Sequence, residues 1–296
     1  MHKNMSYRIL NIGLKVGLGL IACMGVAQAQ YIPTAPTQES LYCSGVVTTQ
    51  QVPRDTYLIS GENARYKTTF APGDSVYINQ GAEHGVKVGD QFEVIREKSD
   101  SSEIKWFKYQ YALTRAMGTT YADIGLLRIV HVDAKTSIAE MTMPCDFMQR
   151  GDIVRPYEVR PAPQFHDAKL DPFAAPSGKK TAMVVTTKDF GTMVGAGRIF
   201  YANLGSGQGV QVGNYFRVFR YYGASVDTIQ DFKQTSFGMY GTMYGFGSTP
   251  GPYDWKNLPR HILGEGIVLR TGPNSSTVLL TTSRQEVFVG DYLELE

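Results

Sequence analysis

The sequence predicts an all-β protein with minor helix, built as two tandem small β-barrels, SH3-like or sandwich in type, related by an internal repeat. Three observations lead there. Residues 75–96 read SVYINQGAEHGVKVGDQFEVIR and residues 199–220 read IFYANLGSGQGVQVGNYFRVFR; at a constant offset of 124, ten of the 22 positions are identical. A second pair of segments recurs at an offset of 139: the strand-like runs 126–132 and 137–141 and the Gly151–Val154 end return as 266–271, 276–280 and Gly290–Leu293. Between these lie short β-branched and aromatic runs punctuated by glycine turns, the signature of a small barrel or sandwich. A repeat of this kind means one supersecondary unit used twice. The identities (Tyr77/Tyr201, Asn79/Asn203, Gly81/Gly205, Gly85/Gly209, Val86/Val210, Val88/Val212, Gly89/Gly213, Phe92/Phe216, Val94/Val218, Arg96/Arg220) read as turn and core positions.

The chain opens with a secretory signal over 1–29. Lys3, Arg8 and Lys15 precede an apolar stretch from Val16 to Val26, and Ala27-Gln28-Ala29 is a small-x-small cleavage signal. Eleven apolar residues are too few to span a bilayer, which takes about 20. Leu20-Ile21-Ala22-Cys23 also fits a lipobox, so lipidation at Cys23 is the alternative processing route. A Pro/Thr/Ser-rich leader, 30–40, reads as extended or disordered. The first barrel covers 41–157. It begins with a strand at Tyr57–Ser60 and the repeated block: strand Ser75–Asn79, turn Gly81–Gly85, turn Gly89-Asp90, and strand Gln91–Arg96 with period-two alternation. A helix is predicted within Ser102–Met117, its Trp106, Leu113 and Met117 stripe covering a barrel end. Residues 158–180 are a Pro-rich linker in which Phe165, Leu170 and Phe173, with Tyr157 before it, are suited to packing along a domain surface. The second barrel covers 181–296, and the offset change from 124 to 139 places 15 extra residues in its middle loop.

Charge narrows the function. The chain has 29 Lys+Arg and 27 Asp+Glu. Loss of the signal removes three cations and leaves a near-neutral chain with no basic run, which argues against nucleic acid as partner. No later apolar stretch approaches transmembrane length. After cleavage two cysteines remain, Cys43 and Cys145. An even count in an exported chain predicts a disulfide, with two buried thiols as the alternative.

Candidate chemistry is thin. Gly205-Ser206-Gly207-Gln208-Gly209 resembles a phosphate loop, but a strand rather than a helix follows it. Four Gly-Asp pairs, at 73–74, 89–90, 151–152 and 290–291, are too isolated for calcium and read as turns. His84, His131, His166 and His261 have no second histidine at ligand spacing, and neither HExxH nor CxxC occurs. No catalytic, cofactor-binding or metal residue is therefore assigned. The unusual composition lies in the middle loops, where Trp106 and Tyr109 in copy one and Tyr240, Tyr244, Phe246, Tyr253 and Trp255 in copy two form a candidate interaction surface. These aromatics suit either recognition or plugging of a barrel.

The pattern VYINxGxxxGVxVGDxFxVxR, followed by Ile124–Glu140 and by MQRGDIVRP at Met148–Pro156, resembles the C-terminal domain of flagellar assembly protein T. That resemblance implies a small periplasmic β-barrel. Over residues 41–296 the chain also resembles a group of exported envelope proteins of acidobacterial type, some carrying or labelled by a peptidoglycan-binding LysM module. Its shared segments are YCSG (Tyr42–Gly45), the WFK stretch at Trp106, AMGTTYADIG (Ala116–Gly125), MQRGDIVRP, YGFGSTP (Tyr244–Pro250) and SSTVLL (Ser275–Leu280). Neither resemblance brings catalytic residues. The reading is a non-enzymatic exported scaffold or protein-interaction module, periplasmic or at the outer-membrane periphery, with envelope protein partners. Peptidoglycan binding is the alternative, and a hydrolase with a dispersed site the further one.

Overall fold

The structure, a computed structural model, describes residues 33–99, 104, 107, 109–167, 169–221 and 259–296. Cys23, Trp106, Tyr240, Tyr244, Phe246, Tyr253 and Trp255 lie outside the described residues. The first half runs α1 (Gln38–Tyr42), β1 (Val46–Thr48), β2 (Leu58–Gly61), β3 (Thr69–Phe70), β4 (Ser75–Ile78), β5 (Gln91–Lys98), α2 (Gln110–Met117), β6 (Thr119–Val132), β7 (Ser137–Pro144), β8 (Met148–Gln149) and β9 (Ile153–Pro156). The second runs β10 (Thr181–Thr187), β11 (Met193–Val194), β12 (Ile199–Ala202), β13 (Tyr215–Arg220), β14 (His261–Thr271), β15 (Ser276–Ser283), β16 (Val287–Phe288) and β17 (Tyr292–Leu295). The protein is mostly β, as the alternating strands predict.

The two copies share one topology. The first sheet is ordered β2-β4-β7-β6-β5-β9, with β1 added on β6. The second is a closed barrel ordered β10-β12-β15-β14-β13-β17. In the second the seam is a ladder from Thr181↔Glu294 to Met183↔Tyr292. In the first it narrows to a bridge, Tyr57↔Ile153, but the Leu58 amide still donates to Asp152 O at 2.9 Å. The equivalent bond, from the Val184 amide to Asp291 O, is also 2.9 Å. Each interior is lined by inward residues of its own strands, among them Leu58, Ile78, Val94, Leu127 and Ile129 in the first and Val184, Phe200, Phe216, Val268 and Leu293 in the second. Small barrels of this size hold side chains rather than a lumen.

Most of the ten identities have the predicted role, and three do not. Gly85 and Gly209 end 3-10 turns at φ 79° and 91°, where a side chain would be strained. Asn79 and Asn203 each accept a backbone bond at 2.7 Å, from Tyr57 and Met183, pinning the first strand of each barrel. Val88, however, is 66% exposed, and Tyr77 is partly exposed while its copy Tyr201 is buried. Arg96 and Arg220 are not strand fillers: each grips a Gly-Asp turn. Arg96 Nε and Nη2 donate to the Asp152 carboxylate at 2.7 and 2.8 Å; Arg220 donates both to Asp291 at 2.6 Å.

Two local expectations change. The leader is ordered at its end, because Thr37 and Ser40 make a reciprocal capping box that starts α1. The predicted helix begins only at Gln110, and the barrel it covers is the other one. Ile104 and Phe107 join the core of the second barrel, and Gln110 Nε2 donates to Val185 O at 3.1 Å. Residues 33–296 accordingly form one compact unit.

Candidate functional site

The segment Tyr42-Cys43-Ser44-Gly45 sits between the barrels, and each residue is used. Cys43 is bonded to Cys145, with Cα atoms 5.3 Å apart, as the cysteine count predicts. The Tyr42 hydroxyl shares a 2.6 Å hydrogen bond with Tyr157, whose ring stacks on it. That bond, with burial, pushes the Tyr157 hydroxyl up to about 12. Ser44 O accepts from Tyr201 of the second barrel at 3.1 Å, and Gly45 O accepts from Thr277 at 3.1 Å. Gly45 has φ +69°, and an added Cβ would lie 2.4 Å from the Tyr201 oxygen. No other residue fits so close a crossing.

Around this segment the fold gathers buried charge. Asp123 on β6 accepts from the Gly45 amide at 2.7 Å, from Arg160 at 3.1 and 3.2 Å, and from Arg270 on β14 at 3.2 and 3.3 Å. Glu93 on β5 accepts from Arg155 at 2.6 Å and Arg160 at 2.7 Å. Arg160 also donates to Leu41 O at 2.8 Å and lies over the Tyr42 ring. Burial alone would raise the Asp123 carboxyl, but the Arg270 and Arg160 guanidiniums overcome it and hold the group below the ordinary carboxylate range. One cluster thus joins both barrels, the 41–45 segment and the linker. No spacing rule predicts it, because its members come from five separate segments. These are structural contacts: each charge is met by a partner, so the cluster holds geometry rather than exposing a reactive group.

The exposed face lies elsewhere. Tyr109 is 62% exposed, at the start of α2, and Tyr111 is 73% exposed, with Arg115 stacked over its ring. Beyond the C-terminal end of α2 opens a cleft of about 480 Å³, lined by Thr48–Val52, Arg54, Glu97, Gly118, Thr119 and Tyr121. Arg54 and Glu97 are ion-paired at its edge. Of the aromatic surface read from sequence, Tyr109 is therefore placed on an accessible helix; its partners in that reading are outside the described residues. Tyr111 belongs to the same aromatic copy-one loop, and the cleft is an addition from the structure.

A second cluster escaped the sequence altogether. His166 of the linker, Glu265 on β14 and Glu296 beyond β17 bring their ligand atoms within 4.8 Å of one another. Burial and the neighbouring Glu296 push the Glu265 carboxyl up to about 8. Sequence spacing assigned no metal ligands, and these three residues share no spacing that would have suggested them.

Among the described residues no helix is long and apolar enough to cross a membrane. No curated protein matches the chain. The family model for the C-terminal domain of flagellar assembly protein T matches residues 73–156, from the turn before β4 to the last residue of β9, so the first barrel is similar to that domain.

Proposed function

We propose that this protein is a non-enzymatic scaffold or protein-interaction module of an exported envelope assembly, a reading supported by its likeness over residues 73–156 to a domain of a protein named for flagellar assembly. The observation that carries the reading is the match of that domain to a barrel whose interior is packed with side chains. A filled barrel recognises partners with its surface. The Cys43–Cys145 bond supports an oxidising compartment. Tyr109 and Tyr111 offer exposed aromatic area at the start of α2, and Tyr244 and Trp255 are the copy-two candidates read from the sequence.

The test is affinity purification of the tagged chain from its native envelope, comparing wild type with Tyr109→Ala/Tyr111→Ala and with Tyr244→Ala/Trp255→Ala. Loss of a defined protein partner in either variant, with circular dichroism unchanged, supports the reading. Equal recovery of that partner in both would remove these surfaces from it. Wild-type protein that sediments with purified sacculi and brings no protein partner would favour the peptidoglycan alternative instead.

A further inference from the structure

We propose that His166, Glu265 and Glu296 form a binding site for a first-row divalent transition metal, zinc above all, that fastens the linker to the second barrel. The ligand types fit: one imidazole nitrogen with two carboxylate oxygens suits zinc, whereas calcium and magnesium favour all-oxygen shells of six or more. Zinc bonds of about 2.0–2.2 Å place tetrahedral ligand atoms roughly 3.3–3.5 Å apart. His166 Nε2 and Glu265 Oε1 are already 3.4 Å apart, and all three ligand atoms fall within 4.8 Å. Rotation of the Glu296 side chain closes the set and leaves a fourth position for water.

The surroundings hold the ligands in place. The His166 ring lies against Tyr215 at 3.8 Å, and the His166 amide donates to the Tyr215 hydroxyl at 2.9 Å. The Glu296 amide donates to Tyr215 O at 2.9 Å. One residue of β13 thus orients two of the three ligands, as supporting groups do around metal sites. Charge points the same way. Glu265 is buried, its carboxylate lies 3.4 Å from His166 Nε2, and Arg217 is the guanidinium that acts on it. Arg217 is divided between Glu294 and Glu296 and does not neutralise the whole cluster.

The repeat supplies an internal comparison. At the established offsets the copy-one counterparts of Glu265, Glu296 and Tyr215 are Leu126, Tyr157 and Gln91. Leu126 and Tyr157 pack in an apolar cluster with Tyr42. The barrel face therefore does not need acidic residues to fold; the second copy carries them where the linker passes.

The test titrates the EDTA-treated full chain with zinc chloride by isothermal calorimetry. The expected result is one zinc per chain, not displaced by millimolar magnesium or calcium. His166→Ala and Glu265→Leu, the second restoring the copy-one residue, should each weaken binding at least tenfold with circular dichroism unchanged. At a hundredfold excess over Kd, zinc should raise Tm by about 5–10 °C in wild type and not in the variants. Absence of saturable binding overturns the proposal. So does wild-type affinity in His166→Ala, whose half-exposed side chain makes that variant decisive even if Glu265→Leu misfolds.

Discussion

Asp123 shows how much rests on single side chains here. It is buried with only a short set of donors, two of them guanidiniums from different parts of the chain. Removing the charge leaves Arg160 and Arg270 short of a counter-ion in a poorly solvated place. Asp123→Asn should therefore cost about 3–5 kcal/mol in urea unfolding, while Arg54→Ala, from an exposed pair, should cost about 0–1 kcal/mol. The same residue sets a pH dependence. Its folded pKa is depressed, so the unfolded chain takes up its proton first as pH falls. Its contribution is complete above the ordinary value of 3.8 and is lost as pH drops through the lower folded value. Glu294, held low by Arg260 against the opposing effect of burial, adds in the same direction. Urea midpoints should fall between about pH 5 and pH 2, and less steeply in Asp123→Asn. An equal slope in the variant would mean that the acid sensitivity lies elsewhere.

At the scale of elements, the loop carrying Ile104 and Phe107 belongs by sequence to copy one and by packing to copy two. Phe107 is buried in the core cluster of the second barrel, its ring close to Gly290. Truncation there should open a cavity in a core the residue does not adjoin in sequence. Phe107→Ala is expected to lower stability by about 3–5 kcal/mol, with hydrogen exchange accelerated in β10 and β17 as well as in its own loop. Exchange confined to the first barrel would contradict the crossing. Strand identities were legible because a half-buried strand must alternate, and the turns because Gly and Asp have few other uses at that spacing. The Arg96–Asp152 and Arg220–Asp291 pairs were half legible: both members recur, but nothing in one dimension says that they meet.

For the whole molecule, the junction welds two barrels that separate folding would leave independent. The N-terminal segment lies between them, the disulfide ties it to the end of β7, and the charge cluster spans both. Unfolding should consequently be one transition, coincident by near- and far-ultraviolet circular dichroism. Two resolved transitions would show that the barrels fold apart. The Cys43–Cys145 bond closes a separation of 102 residues, for which chain entropy gives about 4–5 kcal/mol. Cys43→Ser/Cys145→Ser should lower the urea midpoint accordingly, and a change near zero would mean that the junction holds without it.

By itself the sequence determined that the chain is all-β, that its unit is used twice, where the turns fall and which cysteines pair. Those features follow from local rules: side-chain alternation along strands, positive φ at glycine, and the parity of thiols once residues 1–29 are set aside. Only the tertiary structure decided that the copy-one helix serves the second barrel, that YCSG is a wedge, and that His166 meets Glu265 and Glu296. Such meetings depend on where closed sheets bring distant segments in space, and a barrel's closure is a property of all its strands together.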